Sequence, residues 1–283
     1  MTVIRDRQDR CPGALRPWPA GDGMLVRLRL IGGRVQVSRL RRLIEVAERF
    51  GDGRVHVTSR ANLQVRGFPG RDGLLDEAAL SALEHTGLLP TRTHELVRNV
   101  MLSPQSGLAG GKADLRDVAD ELDRLLCADP ALGTLPGRFL FVLDDGRGDV
   151  AHRSCDLGLV ALDEQIGQLR IGEGWGETVP LGAAAGRLAD LASAFLRARG
   201  AGDSAAWHVN ELAEPLAEPL DADPRIPPRA EPLPFGEVPG GRHVATPEAG
   251  IDRDVVASLA AGSNELIITP WRGVLIPKAG SHA

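Results

Sequence analysis

Tyrosine is absent from this 283-residue chain, aromatic residues make up only 4% of it, and there are three cysteines. Cys11, Cys127 and Cys155 stand far apart, with no C-x-x-C pair and no secretory signal ahead of them. Neither a disulfide framework nor a zinc site is indicated, and the cytoplasm is the expected compartment. No apolar run approaches the roughly 20 residues that a membrane span requires, so no membrane association is expected. Lysine is nearly missing: of 33 basic residues, only Lys112 and Lys278 are lysine. So much arginine reflects base composition as well as function, and the positions of arginines therefore carry more than their number. A net charge of −5 argues against a nucleic-acid partner, because phosphate affinity rests on cationic surface.

What is present is globular: 43% hydrophobic and 25% charged residues, long enough for one large core or two to three small ones. After a Pro-rich start, "MLVRLRL" (24–30) alternates as a strand, and "SRLRRLIEVAERFG" puts Leu40, Leu43, Ile44 and Ala47 on one helical face. Ser38 is placed to cap that helix and Gly51 to end it. "RVHVTSRANLQVRGF" (54–68) then alternates without a break, and a second helix over 76–86 closes at Gly87. The crossover predicts that the two strands are parallel neighbours or nearly so. A middle segment from Pro90 mixes a helix at 113–127, strands at 137–146, 156–161 and 167–172, and a helix at 183–199, which is α+β rather than regular βα alternation. Residues 211–240, rich in proline and acid, read as an extended connector. A short strand, a helix around 253–261 and "NELIITPWRGVLIPK" follow.

"VHVTSRANLQVRG" set above "LIITPWRGVLIPK" suggests an internal duplication. Both follow a helix and a Gly-containing turn, both carry Thr at the fourth position, and each has an Arg within three residues of that Thr. Two copies suit a pseudo-symmetric pair packed together.

The alternating 54–68 segment offers His56, Thr58, Arg60, Asn62, Gln64 and Arg66 on its second face. As one strand it would hold Arg60, Asn62, Gln64 and Arg66 in a row about 7 Å apart. Any sheet with one wet face gives such a pattern, but this face has donors and no carboxylate, which suits an anionic, carboxylate-bearing ligand. Arg29, followed by Gly32-Gly33 where backbone can approach a ligand, together with Arg98-Asn99 and Arg138, extends the set. "GEGWGE" (172–177) lacks a Walker lysine and reads as a turn. The histidines show no i, i+4 metal spacing. Asp144, Asp145 and Asp149 in "DDGRGD" suit either a divalent cation or a tight polar turn.

Five ordered motifs, "RLIGGRV" (29–35), "TSRANLQVRG" (58–67), "RNVMLSP" (98–104), "LPGRFLFVLDDGRGDV" (135–150) and "TPWRGVLIP" (269–277), resemble the nitrite/sulfite reductase superfamily. Within it the likeness is to the precorrin-3B synthase family of cobalamin biosynthesis. The resemblance implies an α+β fold: a ferredoxin-like half domain within 1–88, a tetrapyrrole-handling α+β domain at 89–210, the linker at 211–240 and a second half domain at 241–283. It also implies an oxidoreductase whose substrate is a polycarboxylate tetrapyrrole, precorrin-3A, hydroxylated with dioxygen. The alternatives are a non-catalytic tetrapyrrole binder and a sirohaem-dependent nitrite or sulfite reductase. Carried over where letters match, Arg60 and Gln64 meet macrocycle carboxylates, and Arg29 and Arg98 take the family's anion-binding places. The reductases' paired lysines fall on Arg138 and Leu140, so one cation is lost. Family cofactors are a [4Fe-4S] cluster with iron or sirohaem. The family's cluster cysteines lie beyond the segment resembling 269–277, and three scattered cysteines cannot supply four thiolates, so the expectation is a chain without its own cluster ligands. Catalysis would then draw on a separate cluster-bearing polypeptide or the partner half of a homodimer.

Overall fold

The computed structural model of the chain describes Asp9 and residues 11–278. In chain order the first elements are β1 (Trp18–Ala20), β2 (Gly23–Leu28), β3 (Arg34–Gln36), α1 (Val37–Phe50), β4 (His56–Val57), β5 (Leu63–Phe68), β6 (Gly70–Arg71), β7 (Leu74–Leu75) and α2 (Glu77–Glu84). The middle elements are β8 (Val100–Leu102), α3 (Arg116–Ala128), β9 (Phe141–Asp144), β10 (Leu157–Ala161), β11 (Ile166–Ile171), β12 (Gly174–Pro180) and α4 (Leu181–Ala198). The last are β13 (Gly236–Val238), β14 (Gly241–Ala245), α5 (Arg253–Leu259), β15 (Glu265–Thr269) and β16 (Gly273–Pro277). The described residues form two compact units: residues 11–96 with 233–278, and residues 97–232 with Asp9.

The unit of residues 11–96 and 233–278 holds the duplication. Its first sheet has the order β1-β2-β5-β4, and its second runs β13-β14-β16-β15 with β3 added at the end. The two orders coincide when β1, β2, α1, β4 and β5 are matched to β13, β14, α5, β15 and β16. Each copy also lends an edge to the other. Val35 of β3 pairs with Leu266 of β15, and Ile251, which precedes α5, bridges Val55 just before β4. One continuous core lies beneath both sheets, joining Val26, Leu28, Leu63 and Val65 with Leu40, Leu43 and Ile44 of α1, and Ile268, Val274 and Ile276 with Val256 and Leu259 of α5.

Two local expectations are corrected. Residues 54–68 are a hairpin, not a strand: β4 and β5 pair antiparallel through Val57↔Leu63, and residues 58–62 turn between them. Thr58 accepts from the Ala61 N–H, its Oγ1 accepts from the Asn62 N–H, and Ala61 sits at φ 56°. β2 therefore pairs with β5 antiparallel, and the strand parallel to β2 is β4, one place further out. Second, α1 begins at Val37, with Gln36 as its N-cap and no side-chain capping bond, so Ser38 lies inside the helix. Gly51 does end it.

The other unit is a five-stranded sheet in the order β12-β11-β10-β9-β8, parallel from β8 to β10 and antiparallel beyond. The helices α3 and α4 pack on each other, and α4 also packs on β10 and β11. The Pro-rich segment contains no α-helix and is fastened to this unit up to residue 232: Leu220 N donates to Trp175 O, Asp223 N to Gln168 Oε1, and Ala230 N to Gly148 O.

Candidate ligand-binding face

In the first sheet β5 is central, and its core side is Leu63, Val65 and Phe68. The opposite side is polar because Gln64 lies level with Arg27 of β2 on one flank and with His56 of β4 on the other. Arg27 Nη2 donates to Gln64 Oε1 at 3.2 Å, while His56 Nε2 meets Asp52 Oδ2 at 2.8 Å. Arg60, on the 58–62 turn, is half-buried and close enough to Arg27 for the two guanidiniums to repel. Burial is the main cause that lowers the proton affinity of Arg27; a Cys11 thiolate would act in the opposite sense, and the Arg60 charge adds a smaller lowering. The result is a cross-strand row of Arg27, Gln64 and His56, with Arg60 at its edge.

Other residues singled out in the sequence sit elsewhere on this unit. Arg66 is half-exposed, and its Nε donates to Asp22 Oδ2 at 2.6 Å. The face is thus not free of acids at that end. Asn62 is 1% exposed and its Oδ1 accepts from the Leu30 N–H, so it ties the 58–62 turn to the end of β2. Arg29 is 3% exposed, with Nη1 donating to the carbonyls of Pro12 (2.7 Å) and Arg27 (3.0 Å). Glu95, also buried, accepts from the backbone N–H groups of Ala14 and Leu15. Together Arg29 and Glu95 hold the 11–15 loop in place, a role no pattern in the sequence announced. Gly32-Gly33 approaches protein, not a ligand: Gly33 O accepts from Ile268 N, and a Cβ at Gly33 would stand 2.2 Å from Ile268 O.

On the other unit, Arg98 is buried and forms two bonds to Asp123, at 2.5 and 2.7 Å. Asn99 is buried and donates from Nδ2 to Gly137 O. Arg138 is exposed, 6.0 Å from the Trp207 ring centroid. Leu140 is buried with Met101, Val142, Val150 and Cys155. The "DDGRGD" acids form a tight turn: Asp144 accepts from four backbone N–H groups, those of Gly146, Gly148, Val150 and Ala151. Asp145 holds Arg147 through two bonds. Asp149 accepts from Ser103 Oγ, and burial, with Asp144 nearby, pushes its pKa up to about 7. Among the described residues no group of three or more His, Cys, Asp or Glu side chains is arranged to hold a metal.

The duplication supplies a counterpart to the polar face. Strand register matches Arg27 to His243, Gln64 to Leu275 and His56 to Ile267, and the two turns match Arg60 to Trp271. Both turns are built alike, with Ala61 and Arg272 at φ 56° and 58°, and Thr58 Oγ1 and Thr269 Oγ1 each accepting the N–H four residues on. In the second copy the equivalent face is buried. His243 is 1% exposed, its Nε2 meets Thr269 Oγ1 at 2.9 Å, and Phe235 lies over its ring.

Comparison with known proteins agrees with this architecture. Residues 17–73 match the nitrite/sulfite reductase ferredoxin-like half domain. The chain is 41% identical over 67 residues to a precorrin-3B synthase of Sinorhizobium sp, covering 24% of this chain and 15% of that one. It is 29% identical over 160 residues to the ferredoxin–nitrite reductase of Leptolyngbya laminosa, covering 52% and 30%. Among solved structures, the NirA protein of Mycobacterium tuberculosis superposes with a TM-score of 0.67 at 18% identity, covering 97% of this chain and 57% of that chain. The chain therefore spans a minor share of the curated relatives it matches and just over half of NirA.

Proposed function

We propose that this chain, a member of the nitrite/sulfite reductase superfamily, binds a polycarboxylate tetrapyrrole of the precorrin kind on the β2-β5-β4 face, as a precorrin-3B synthase-like component of cobalamin biosynthesis. One observation carries the reading. Equivalent positions of one duplicated fold hold Arg27, Gln64, His56 and Arg60 in the first copy and His243, Leu275, Ile267 and Trp271 in the second. The second copy's face is covered by its own chain, whereas the first copy's is left half-open and carries donors, which supports it as the face that takes a ligand. Guanidinium and amide donors suit carboxylates, and a sheet face suits a flat ring.

The chain's own residues would bind and orient the ring: Arg27 and Arg60 by charge-assisted bonds, Gln64 by buttressing Arg27, and Arg29 and Glu95 by fixing the loop beside them. Sirohaem, which the family's reductases use, carries carboxylates of the same kind and fits this donor set. A four-cysteine cluster does not fit, since the chain has three cysteines and none belongs to a metal-holding group among the described residues. Redox chemistry would draw on a cluster-bearing part outside these residues. The nitrite reductase relative covers more of the chain than the synthase does, which favours a sirohaem-dependent reductase as the second reading. Against it, Leu140 is buried and apolar where the reductases carry a second cation.

The test is a fluorescence titration of the protein with uroporphyrin, an octacarboxylate tetrapyrrole. Saturable binding, weakened about tenfold or more by Arg60→Ala, is expected from roughly 1.5–3 kcal/mol per charge-assisted hydrogen bond. No saturable binding would overturn the reading. Iron and sulfide analysis of protein purified without air separates the synthase-like reading from a non-catalytic binder.

A further inference from the structure

In the sheet unit, the Pro-rich segment is fastened over the turn that carries Asp149. Three contacts seat residues 227–230 there. Ala230 N donates to Gly148 O at 3.0 Å, His152 Nε2 donates to Pro227 O at 3.1 Å, and Pro228 O lies 2.2 Å from where a Cβ on Gly148 would stand. Further back, Lys112 Nζ donates to Arg225 O, and the Arg225 guanidinium spans Asp163 and Asp223. The side-chain bonds among these are polar and lie at the surface, the kind of fastening that opens locally without unfolding the sheet beneath.

Asp149 is poorly placed to carry a charge. Asp144 and Asp145 lie beside it on the same turn, and the cations facing it are Arg147 and Arg153. Arg147 is held by Asp145 through two bonds and also donates to Gln105 and Ala109. Arg153 faces Arg229 of the Pro-rich segment as well, and Arg170 of β11 is occupied by the carbonyls of Ala151 and Arg153. Ser103 Oγ donates to Asp149 Oδ1 at 2.7 Å, whereas neighbouring Asp144 collects four backbone N–H groups. A covered carboxylate with one donor, beside two others, favours its protonated form until water reaches it.

We propose that residues 223–230 are a proton-controlled strap, seated while Asp149 is protonated and released when it ionises and draws in water. The segment leads to residue 233, where the chain enters the other unit, so the device acts on the connector. Because the seated strap keeps a proton that the open one gives up at the ordinary carboxylate value, opening becomes easier as pH rises from about 4 to about 7 and then levels off.

Hydrogen exchange of the full chain at pH 5, 6, 7 and 8, expressed as protection factors so that the intrinsic effect of pH cancels, reads the strap at the amides of Ile226 and Ala230, which donate to Asp223 O and Gly148 O. In wild type their protection is expected to fall about tenfold or more between pH 5 and pH 8, while β9 and β10 stay unchanged. Asp149→Asn, which keeps an acceptor for Ser103, should hold the protection constant. Ser103→Ala removes the bond that favours the ionised form and should move the midpoint of the fall to higher pH. Arg225→Ala, which cuts the bonds to Asp163 and Asp223, should lower the protection by a similar factor at every pH and leave the midpoint in place. Protection that is constant with pH in wild type, or that falls equally in Asp149→Asn, would overturn the proposal. A pH-dependent melting temperature with a strap protected throughout would do the same, since the Asp149 proton would then belong to global unfolding alone. If Asp149→Asn does not fold, Ser103→Ala decides, and an unmoved midpoint overturns the proposal.

Discussion

At the scale of single residues, the sequence showed which groups are polar but not which partners they find. Arg66 and Arg60 look equivalent in "TSRANLQVRG", yet one reaches Asp22 across a turn and the other faces Arg27. Partners so distant in sequence leave no local trace. Arg66→Ala is therefore expected to change tetrapyrrole affinity by less than threefold, since half-exposed ion pairs contribute about 0–1 kcal/mol, against tenfold or more for Arg60→Ala, measured in the same titration. Asp144 was legible only as part of an acidic turn, but its carboxylate closes that turn by accepting four N–H groups. Replacing it with Ala leaves four buried donors short, and a loss of roughly 3–5 kcal/mol is expected in urea unfolding.

Asp149 gives a pH signature. Its folded pKa of about 7 stands above the ordinary 3.8, with burial the largest cause and the Asp144 charge next. Between these values the folded state holds a proton that the unfolded state has released, so stability falls as pH rises from about 4 through 7 and then levels off. Asp149→Asn, which keeps an oxygen to accept from Ser103, should flatten that fall. Melting temperatures at pH 5, 6, 7 and 8 check it; equal slopes in wild type and variant would count against the buried, protonated acid.

At the scale of elements, alternation located the right faces and hid the hairpin. Val57 and Leu63 are cross-strand partners, both on the core side, and five residues separate them. An odd-numbered turn preserves parity, so the period of two runs through 58–62 as though the chain never reversed. Thr, Ser and Asn in that stretch were the available turn signals. The duplication was legible because the two hairpins share more than pattern: the threonine that heads each turn has the same hydrogen-bonding task. The reciprocal strand exchange was not, since β3 is three residues long and pairs with a strand some 230 positions away. Gly33 lies beside that exchange, its carbonyl accepting from Ile268 N. Its φ is +73°, and a Cβ there would stand 2.2 Å from Ile268 O, which leaves no room for a side chain. Gly33→Ala should cost about 2–4 kcal/mol, read as a drop in urea midpoint, with α1 and the 58–62 turn retained in hydrogen exchange of the folded fraction.

At the scale of the whole molecule, the α+β class was readable from ordered motifs, as was the ferredoxin-like half domain that residues 17–73 match. The grouping of residues 11–96 with 233–278 as one unit follows instead from the shared core beneath two sheets. That grouping makes the central claim testable, because it places two equivalent faces in one body and assigns the ligand to one of them. The most direct measurement is hydrogen–deuterium exchange with and without saturating uroporphyrin. Protection is predicted at residues 24–29 and 56–66 and not at 241–245 or 265–277. Protection centred on β14, β15 and β16, or equal in both copies, would contradict the account.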